Sequence, residues 1–72
     1  MDFLKNRLRV LRAEKNISQE GLAKAVGISR QTINAIEGED YSPSVLLAIK
    51  IAKYFNKPME DVFYIEDSKK RQ

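Results

Sequence analysis

The chain has 72 residues, of which 43% are hydrophobic and 32% are charged, with a formal net charge of +3. This length suits one domain, whose core is small unless the helices are regular or a second subunit adds to it. The sequence contains no cysteine, which excludes a disulfide and a thiolate metal site. It also contains no histidine, the side chain best suited to acid–base chemistry near neutral pH. We therefore expect no metal, no cofactor and no enzyme activity.

The first predicted helix begins at Leu4 or Asn6 and ends at Lys15. Leu4, Leu8 and Leu11 recur at i, i+4 and i+7, which places them on one helical face. The start of the chain, MDFLKNRLRV, lacks the hydrophobic stretch of a signal peptide. We therefore expect a cytoplasmic protein.

Residues 18–38, SQEGLAKAVGISRQTINAIEG, carry the most specific pattern: two short helices joined by a three-residue turn. Ser18 and Ser29 are residue types that accept hydrogen bonds from the free N–H groups opening a helix, and Gly27 is the type that ends one in the left-handed conformation. Apolar residues face inward to fix the corner and seat the second helix: Leu22, Ala23, Val26, Ile28, Ile33 and Ile36. This arrangement is typical of the helix-turn-helix of DNA-binding domains.

Helix 4 is predicted from Pro43 to Phe55, with Ser42 as its N-cap and proline at the first helical position. It contains the longest apolar run of the chain, Val45–Ile49, which is far shorter than a membrane span. We therefore expect no membrane association.

Helix 4 has more apolar surface than one small core requires. Its predicted stripe is Val45, Ala48, Ile49, Ala52 and Phe55, extended around the side by Leu47, Ile51 and Tyr54. Leu46 lies on the polar strip between Lys50 and Lys53. Either it is one exposed leucine of the kind common on any surface, or it contacts a second subunit.

Helix 5 is predicted from Pro58 to about Phe63, and residues 62–66 are rich in strand-forming types. A strand this short cannot be buried without a partner. It therefore pairs either with a second subunit or with residues 1–4 of its own chain. We favour the pairing within the chain, with the resulting patch at the contact of a homodimer. The predicted dimer interface is Leu46, Tyr54, Val62, Phe63, Tyr64 and Ile65.

Charge is distributed unevenly along the chain. Up to Ile36 there are seven basic and three acidic residues, a net charge of +4, whereas residues 37–67 carry −4 and the predicted disordered tail 68–72 carries +3. A polyanion would be attracted to the half that contains the helix-turn-helix. Charge on small domains is often uneven, so this asymmetry alone does not establish nucleic-acid binding.

The chain resembles the phage-repressor and Cro family, the XRE type of helix-turn-helix regulator. The matching segments are Leu11-Arg12, Ser18-Gln19, Val26–Ile33, Ile36-Glu37-Gly38, Ser42-Pro43-Ser44 and Asn56–Phe63. The resemblance covers roughly residues 5 to 65. It implies an all-α, compact five-helix bundle of the lambda-repressor-like type, in one domain over residues 1–67 with the helix-turn-helix at 18–37. The pairing of the two ends of the chain would add a short two-stranded β ribbon to this bundle.

The predicted base contacts lie on helix 3. Projecting this helix with Ile33 and Ile36 inward leaves four residues facing out: Arg30, Gln31, Asn34 and Ala35. Arginine can donate two hydrogen bonds to guanine, glutamine or asparagine can pair with adenine, and alanine can touch a thymine methyl. The alternative is that these side chains only face water. In the resembled family, these positions enter the major groove.

The predicted phosphate contacts are Gln19, Ser29, Thr32, Tyr41 and Ser42. The first two lie at helix starts, where free N–H groups favour an anion, and the other three carry hydroxyl donors nearby. Such contacts set orientation rather than sequence preference. The resembled family often has basic residues in the loop after helix 3, whereas this chain has Glu39 and Asp40, which leaves Tyr41 as the main donor of that loop.

The resemblance also implies a structural ion pair between Arg12 and Glu37, joining helix 1 to the end of helix 3. An alternative role for Arg12 is a contact with phosphate.

Three functional classes are compatible with a chain of this kind. The first is a sequence-specific regulator, acting as a repressor, which binds double-stranded DNA as a homodimer on an inverted repeat. The second is an antitoxin-like protein-binding module that uses the helix-turn-helix for autoregulation. The third, an enzyme, is disfavoured by the missing histidine and cysteine and by the lack of a glycine-rich phosphate loop. We expect no small-molecule ligand.

Overall fold

A computed structural model of the protein describes residues 2–67. In chain order the elements are β1 (Asp2–Asn6), α1 (Leu8–Lys15), α2 (Gln19–Val26), α3 (Arg30–Glu37), α4 (Val45–Tyr54), α5 (Met59–Val62) and β2 (Phe63–Asp67). The five predicted helices are confirmed. The predicted ribbon between the two ends of the domain is also confirmed, because β1 and β2 pair antiparallel. The predicted disordered tail, 68–72, lies outside the described residues.

The start of the chain is a strand and not the beginning of helix 1. Leu4 lies opposite Ile65 in the ribbon, so the prediction that it shares a helical face with Leu8 and Leu11 was wrong. Residue 6 marks the change from strand to helix: Asn6 Oδ1 accepts from Leu8 N at 3.1 Å, and Asn6 Nδ2 donates to the Ile36 carbonyl at 2.9 Å. The leucine spacing suits a helix, but the strand partner at the other end of the chain provides backbone hydrogen bonds that the spacing cannot reveal.

The helix-turn-helix is capped as predicted. Ser18 Oγ accepts from Gly21 N at 2.9 Å, and Ser29 Oγ accepts from Thr32 N at 3.1 Å. Gly27 ends α2 with φ of +80°, a left-handed conformation that side chains with a Cβ disfavour. These three residues fix the corner between α2 and α3 from local interactions.

Helices α4 and α5 are shorter than predicted. Ser44, and not Ser42, is the N-cap of α4, because its Oγ accepts from Leu47 N at 3.1 Å. Pro43 therefore precedes the helix. Helix α5 ends at Val62. Phe63, which was predicted to end this helix, instead begins β2 and lies opposite Asn6.

The inward face of α4 differs from the predicted stripe. Leu47 and Ile51 are buried, whereas Val45 is 71% exposed and Ile49 is 40% exposed. The helix is apolar on almost every side, so its sequence permits several orientations, and packing against the other helices selects one of them. The core residues are Leu8, Leu11, Leu22, Ala23, Val26, Ile33, Ile36, Leu47, Ala48, Ile51, Ala52, Phe55, Val62 and Phe63.

Within residues 2–67, none of the helices has the length and apolar character needed to cross a membrane.

Candidate nucleic-acid interface

Helix α3 presents a polar face to solvent. Ile33 and Ile36 are fully buried and hold the helix against the core, while Arg30, Gln31 and Asn34 are exposed on the other side. Ala35 is half-buried beside them. The residues predicted from the helical projection as base contacts therefore share one accessible surface.

A shallow cleft of about 280 Å³ runs alongside this face of α3. Its lining residues are Ser29, Gln31, Thr32, Ala35 and Tyr41. Predicted base contacts and predicted phosphate contacts thus line the same depression, although Tyr41 belongs to the loop after α3. Ser42 is exposed next to Tyr41 in that loop.

The hydroxyls of Ser29 and Thr32 form a pair at the start of α3. Their oxygens are 2.9 Å apart, and either one can be the donor. One hydroxyl hydrogen is used between the two oxygens, so the pair retains a second hydrogen that can be donated outward. This geometry suits an acceptor such as a phosphate oxygen beside the N-terminus of α3.

Arg12 and Glu37 form a hydrogen-bonded ion pair. Arg12 Nη2 donates to Glu37 Oε1 at 3.0 Å, Arg12 Nε donates to Oε2, and Arg12 Nη1 donates to the Ile17 carbonyl at 3.2 Å. The Arg12 side chain is 16% exposed and that of Glu37 is 1% exposed. All three guanidinium nitrogens are engaged within the domain, which supports the structural role over a phosphate contact.

Burial of Glu37 raises the pKa of its carboxyl group, but hydrogen bonds from Arg12 and Gln19 together with the positive charges of Arg12 and Arg9 lower it more, so the net pKa lies below the ordinary value. The hydrogen bond with Glu37 likewise raises the pKa of Arg12. Both groups are therefore charged at neutral pH.

Gln19 joins α2 to this ion pair, a link that sequence reasoning missed. Gln19 Nε2 donates to Glu37 Oε1 at 3.1 Å and to Asn34 Oδ1 at 3.3 Å. The side-chain donors of Gln19 are thus engaged, so a phosphate contact at this position would use the backbone N–H groups of the first turn of α2. Sequence spacing does not reveal these contacts, because Gln19 lies 15 positions from Asn34 and 18 positions from Glu37.

The acidic loop after α3 is partly neutralised by the ribbon. Lys5 Nζ lies 3.0 Å from Glu39 Oε1 and 3.4 Å from Glu66 Oε1. The hydrogen bond to Glu39 raises the pKa of Lys5. The loop therefore opposes a nearby phosphate less than its sequence suggests, because a lysine 34 residues away offsets one of its two carboxylates.

Two residues of the predicted dimer interface have almost no exposed surface. Val62 and Phe63 are buried in the core of their own chain, so their prediction as interface residues was wrong. A residue that completes the core of one chain cannot also be covered by another. Tyr54 is half-buried, with its ring 5.0 Å from Lys15 Nζ.

Other apolar side chains on the ribbon are exposed. Ile65 is 68% exposed and lies opposite Leu4, which is also exposed. Tyr64 and Phe3 are exposed as well. The paired ends of the chain were expected at the homodimer contact, but the predicted list of interface residues named none from β1.

Leu46 lies away from the ribbon, beside the corner of the helix-turn-helix. It is 66% exposed and lines a depression with Gly27 and Ile28.

Among the described residues, no cluster of three or more histidine, cysteine, aspartate or glutamate side chains could hold a metal ion.

The helix-turn-helix family model HTH_3 matches residues 8–62. Similar chains include HTH-type transcriptional regulators of Bacillus subtilis, 53% identical over 64 residues, and of Methanocaldococcus jannaschii, 55% identical over 64 residues; both alignments cover 89% of this chain and 97% of the relative. The cryptic phage CTXphi transcriptional repressor RstR of Vibrio cholerae is 30% identical over 57 residues, which cover 79% of this chain and 51% of that protein.

The fold is also similar to a solved structure. The crystal structure of the restriction-modification controller protein C.AhdI from Aeromonas hydrophila matches with a TM-score of 0.69 and 30% sequence identity, covering 75% of this chain and 78% of that one. The family match spans the five helices, α1 to α5.

Proposed function

Because the chain belongs to the helix-turn-helix (HTH_3) family of DNA-binding transcriptional regulators, we propose that it is a sequence-specific repressor that acts as a homodimer. It binds an inverted repeat in double-stranded DNA by placing the exposed face of α3 in the major groove. This activity belongs in the cytoplasm, where the operator is accessible.

The observation that carries this proposal is the shared surface on α3. Arg30 and Gln31 project from the first turn of α3, and the cleft beside them is lined by the hydroxyl groups of Ser29, Thr32 and Tyr41. Groups that can read base edges therefore lie next to groups that can hold phosphate oxygens. A helix in the major groove needs both sets on one side.

The repressor assignment is supported by the relative RstR, a transcriptional repressor with 30% identity to this chain. The homodimer is supported by the exposed apolar side chains of the ribbon, including Leu4 and Ile65. A symmetric contact at the ribbon leaves the exposed faces of two α3 helices free to enter successive major grooves, roughly 34 Å apart.

Selection of bound fragments from random duplex DNA, followed by titration over a salt series, tests the proposal. We expect a pseudo-palindromic site bound with nanomolar-range affinity that falls steeply as salt rises, because several phosphates are neutralised. Equal affinity for all sequences would overturn the specific regulator. A protein that aggregates alone but becomes soluble with a co-expressed partner would support the antitoxin-like module instead.

Substitutions on α3 test the orientation of the helix. Arg30→Ala and Gln31→Ala are each expected to cost about 1–3 kcal/mol on the selected site and to relax the base preference at one position. Lys57→Ala is the matched control, because this exposed lysine lies in the turn between α4 and α5. If Gln31→Ala keeps both affinity and preference, α3 does not enter the groove in this orientation.

A further inference from the structure

The loop that follows α3 begins with an unfavourable backbone conformation. Glu39 has φ of +67°, in the left-handed region that disfavours a residue with a Cβ. Left-handed residues also follow α1, α2 and α4, but these are Asn16, Gln-free Gly27 and Asn56, whose residue types tolerate the region. Among the described residues Glu39 is therefore the exception, and its surroundings must offset the cost.

Backbone hydrogen bonds provide part of this support. Glu39 N donates to the Ile36 carbonyl at 3.0 Å, and Asp40 N donates to the Ala35 carbonyl at 2.9 Å. These two bonds close the end of α3 with the left-handed residue at the position that glycine usually occupies. Gly38 lies one residue too early for that position and has φ of −80°. The end of α3 therefore requires a left-handed glutamate.

Strand β1 provides further support. Lys5 Nζ donates to Glu39 Oε1 at 3.0 Å and lies 3.4 Å from Oε1 of Glu66 on the paired strand β2. The next residue, Asn6, donates from Nδ2 to the Ile36 carbonyl at 2.9 Å, and the same carbonyl accepts from Glu39 N. Two successive residues of β1 thus contact the end of α3 and the first left-handed residue after it.

The backbone at Glu39 determines the direction of the chain that follows. Tyr41 and Ser42 come two and three residues later, and both are exposed. Tyr41 lines the cleft beside α3 together with Gln31 and Ala35. A change of φ at Glu39 would rotate this segment and move Tyr41 away from the cleft.

We propose that Lys5 is a positioning residue for DNA binding: it holds Glu39 in the left-handed conformation that places the hydroxyl groups of Tyr41 and Ser42 at the phosphate backbone. This inference rests on the proposed function, because it requires the loop after α3 to face DNA. Lys5 acts through Glu39 and not by touching DNA, since its Nζ is already engaged by two carboxylates and its side chain is only 25% exposed.

The conformation of Glu39 can be measured without DNA. A positive φ brings the amide and α protons of a residue close together, so NMR detects it as a strong nuclear Overhauser cross-peak between them. Lys5→Met should weaken this cross-peak at Glu39. Lys57→Met is the control, because it removes an exposed lysine from the turn between α4 and α5 and should leave the cross-peak unchanged. An undiminished cross-peak in Lys5→Met would overturn the positioning role.

Affinity for the selected operator measures the consequence for DNA binding. Lys5→Met should lower the affinity about two- to fivefold per half-site, since an exposed ion pair shifts an equilibrium by no more than about this factor. The loss should be equal on operators that differ by one base pair, because phosphate contacts carry no sequence information. Urea unfolding verifies that the variant is fully folded under the binding conditions, so that a loss of stability alone would leave the affinity unchanged.

Two double variants separate conformation from charge. Lys5→Met combined with Glu39→Gln and Lys5→Met combined with Glu39→Gly both keep the net charge of the wild type, but only glycine enters the left-handed region without the cost of a Cβ. The variant with glycine should bind as tightly as the wild type, and the variant with glutamine should remain weaker. Equal recovery in both would reduce the role of Lys5 to its charge, and recovery in neither would indicate that Lys5 contacts DNA itself. Either result overturns the proposal.

The outcomes distinguish this inference from the proposed function. A protein that binds no duplex overturns the proposed function and with it the role of Lys5 in DNA binding, while the cross-peak still decides whether Lys5 holds Glu39. A protein that binds its operator specifically but keeps full affinity in Lys5→Met overturns the positioning role alone.

Discussion

Among single residues, Glu37 is the charged residue that is buried in the described part of the chain. It lies in the last turn of α3, where the helix dipole disfavours a negative charge. Arg12 and Gln19 donate to its carboxylate, and Arg9 Nε lies 3.9 Å away. These donors offset both the dipole and the loss of hydration, so the residue serves as a structural link between α1, α2 and α3.

Replacing Glu37 by glutamine is expected to destabilise the domain by about 3 kcal/mol, because the partly buried Arg12 loses its countercharge. Urea unfolding at neutral pH measures this loss. Replacing both residues by methionine should cost less than the sum of the two single replacements, since no buried charge is left without a partner. Equal stability of Glu37→Gln and the wild type would contradict the structural role.

The same carboxylate predicts the response to acid. Its pKa in the folded protein is below the ordinary glutamate value of 4.5, so its stabilising effect is complete above about pH 4.5 and is lost as the pH falls through the folded-state pKa. Unfolding free energies measured across this acidic range should therefore fall less in Glu37→Gln than in the wild type. Parallel profiles for the two proteins would assign the acid sensitivity to other carboxylates.

Among the elements, the corner between α2 and α3 depends on one backbone conformation. Gly27 has φ of +80°, and the N–H groups of Gly27 and Ile28 both donate to the Ala23 carbonyl, at 2.9 and 3.0 Å. Asn16 and Asn56 adopt a similar left-handed conformation after α1 and α4, with φ of 56° and 57°. Asparagine tolerates this region better than other residues with a Cβ, so the sequence uses suitable residue types at all three helix ends.

Gly27→Ala should lower the unfolding free energy by about 1–2 kcal/mol. A Cβ at this position would have no heavy atom of the described residues within 4 Å, so the cost is conformational and not steric. Gly27→Asn should cost less, because asparagine enters the left-handed region more readily. Thermal unfolding of the three proteins provides the measurement, and equal destabilisation by alanine and asparagine would point to a different cause.

For the whole molecule, the ribbon determines which surfaces remain for a partner. The described part of the chain measures 38 × 21 × 21 Å. In the ribbon, its first segment, β1, pairs with its last segment, β2. Val62 and Phe63 complete the core, which leaves Leu4 and Ile65 as an exposed apolar pair. Leu46 is exposed at the corner of the helix-turn-helix and provides a separate candidate contact.

Ile65→Glu is expected to shift the proposed homodimer towards monomer and to weaken operator binding, because a charge would enter the apolar contact. Leu46→Glu tests the alternative contact at the start of α4, and it should leave self-association unchanged if the ribbon forms the interface. Sedimentation equilibrium measures both variants, with circular dichroism to verify that each is folded. Unchanged association of Ile65→Glu would exclude the ribbon, and a monomeric Leu46→Glu would move the contact to α4.

The sequence by itself determined the helix-turn-helix and its exposed face. Ser18, Gly27 and Ser29 act on backbone groups within four residues of themselves, so their roles follow from local sequence. The helical spacing of Ile33 and Ile36 likewise determines which side of α3 faces outward. These signals require no knowledge of distant residues.

Tertiary structure decided the features that depend on distant partners. Leu4 lies in a strand because its neighbour is Ile65, at the far end of the domain, and α4 is apolar on too many sides for its sequence to select the buried face. The Gln19–Glu37 hydrogen bond joins residues 18 positions apart and the Lys5–Glu39 pair joins residues 34 apart. Local preference cannot specify such pairs, because their free energy depends on the burial and charge that only the folded chain provides.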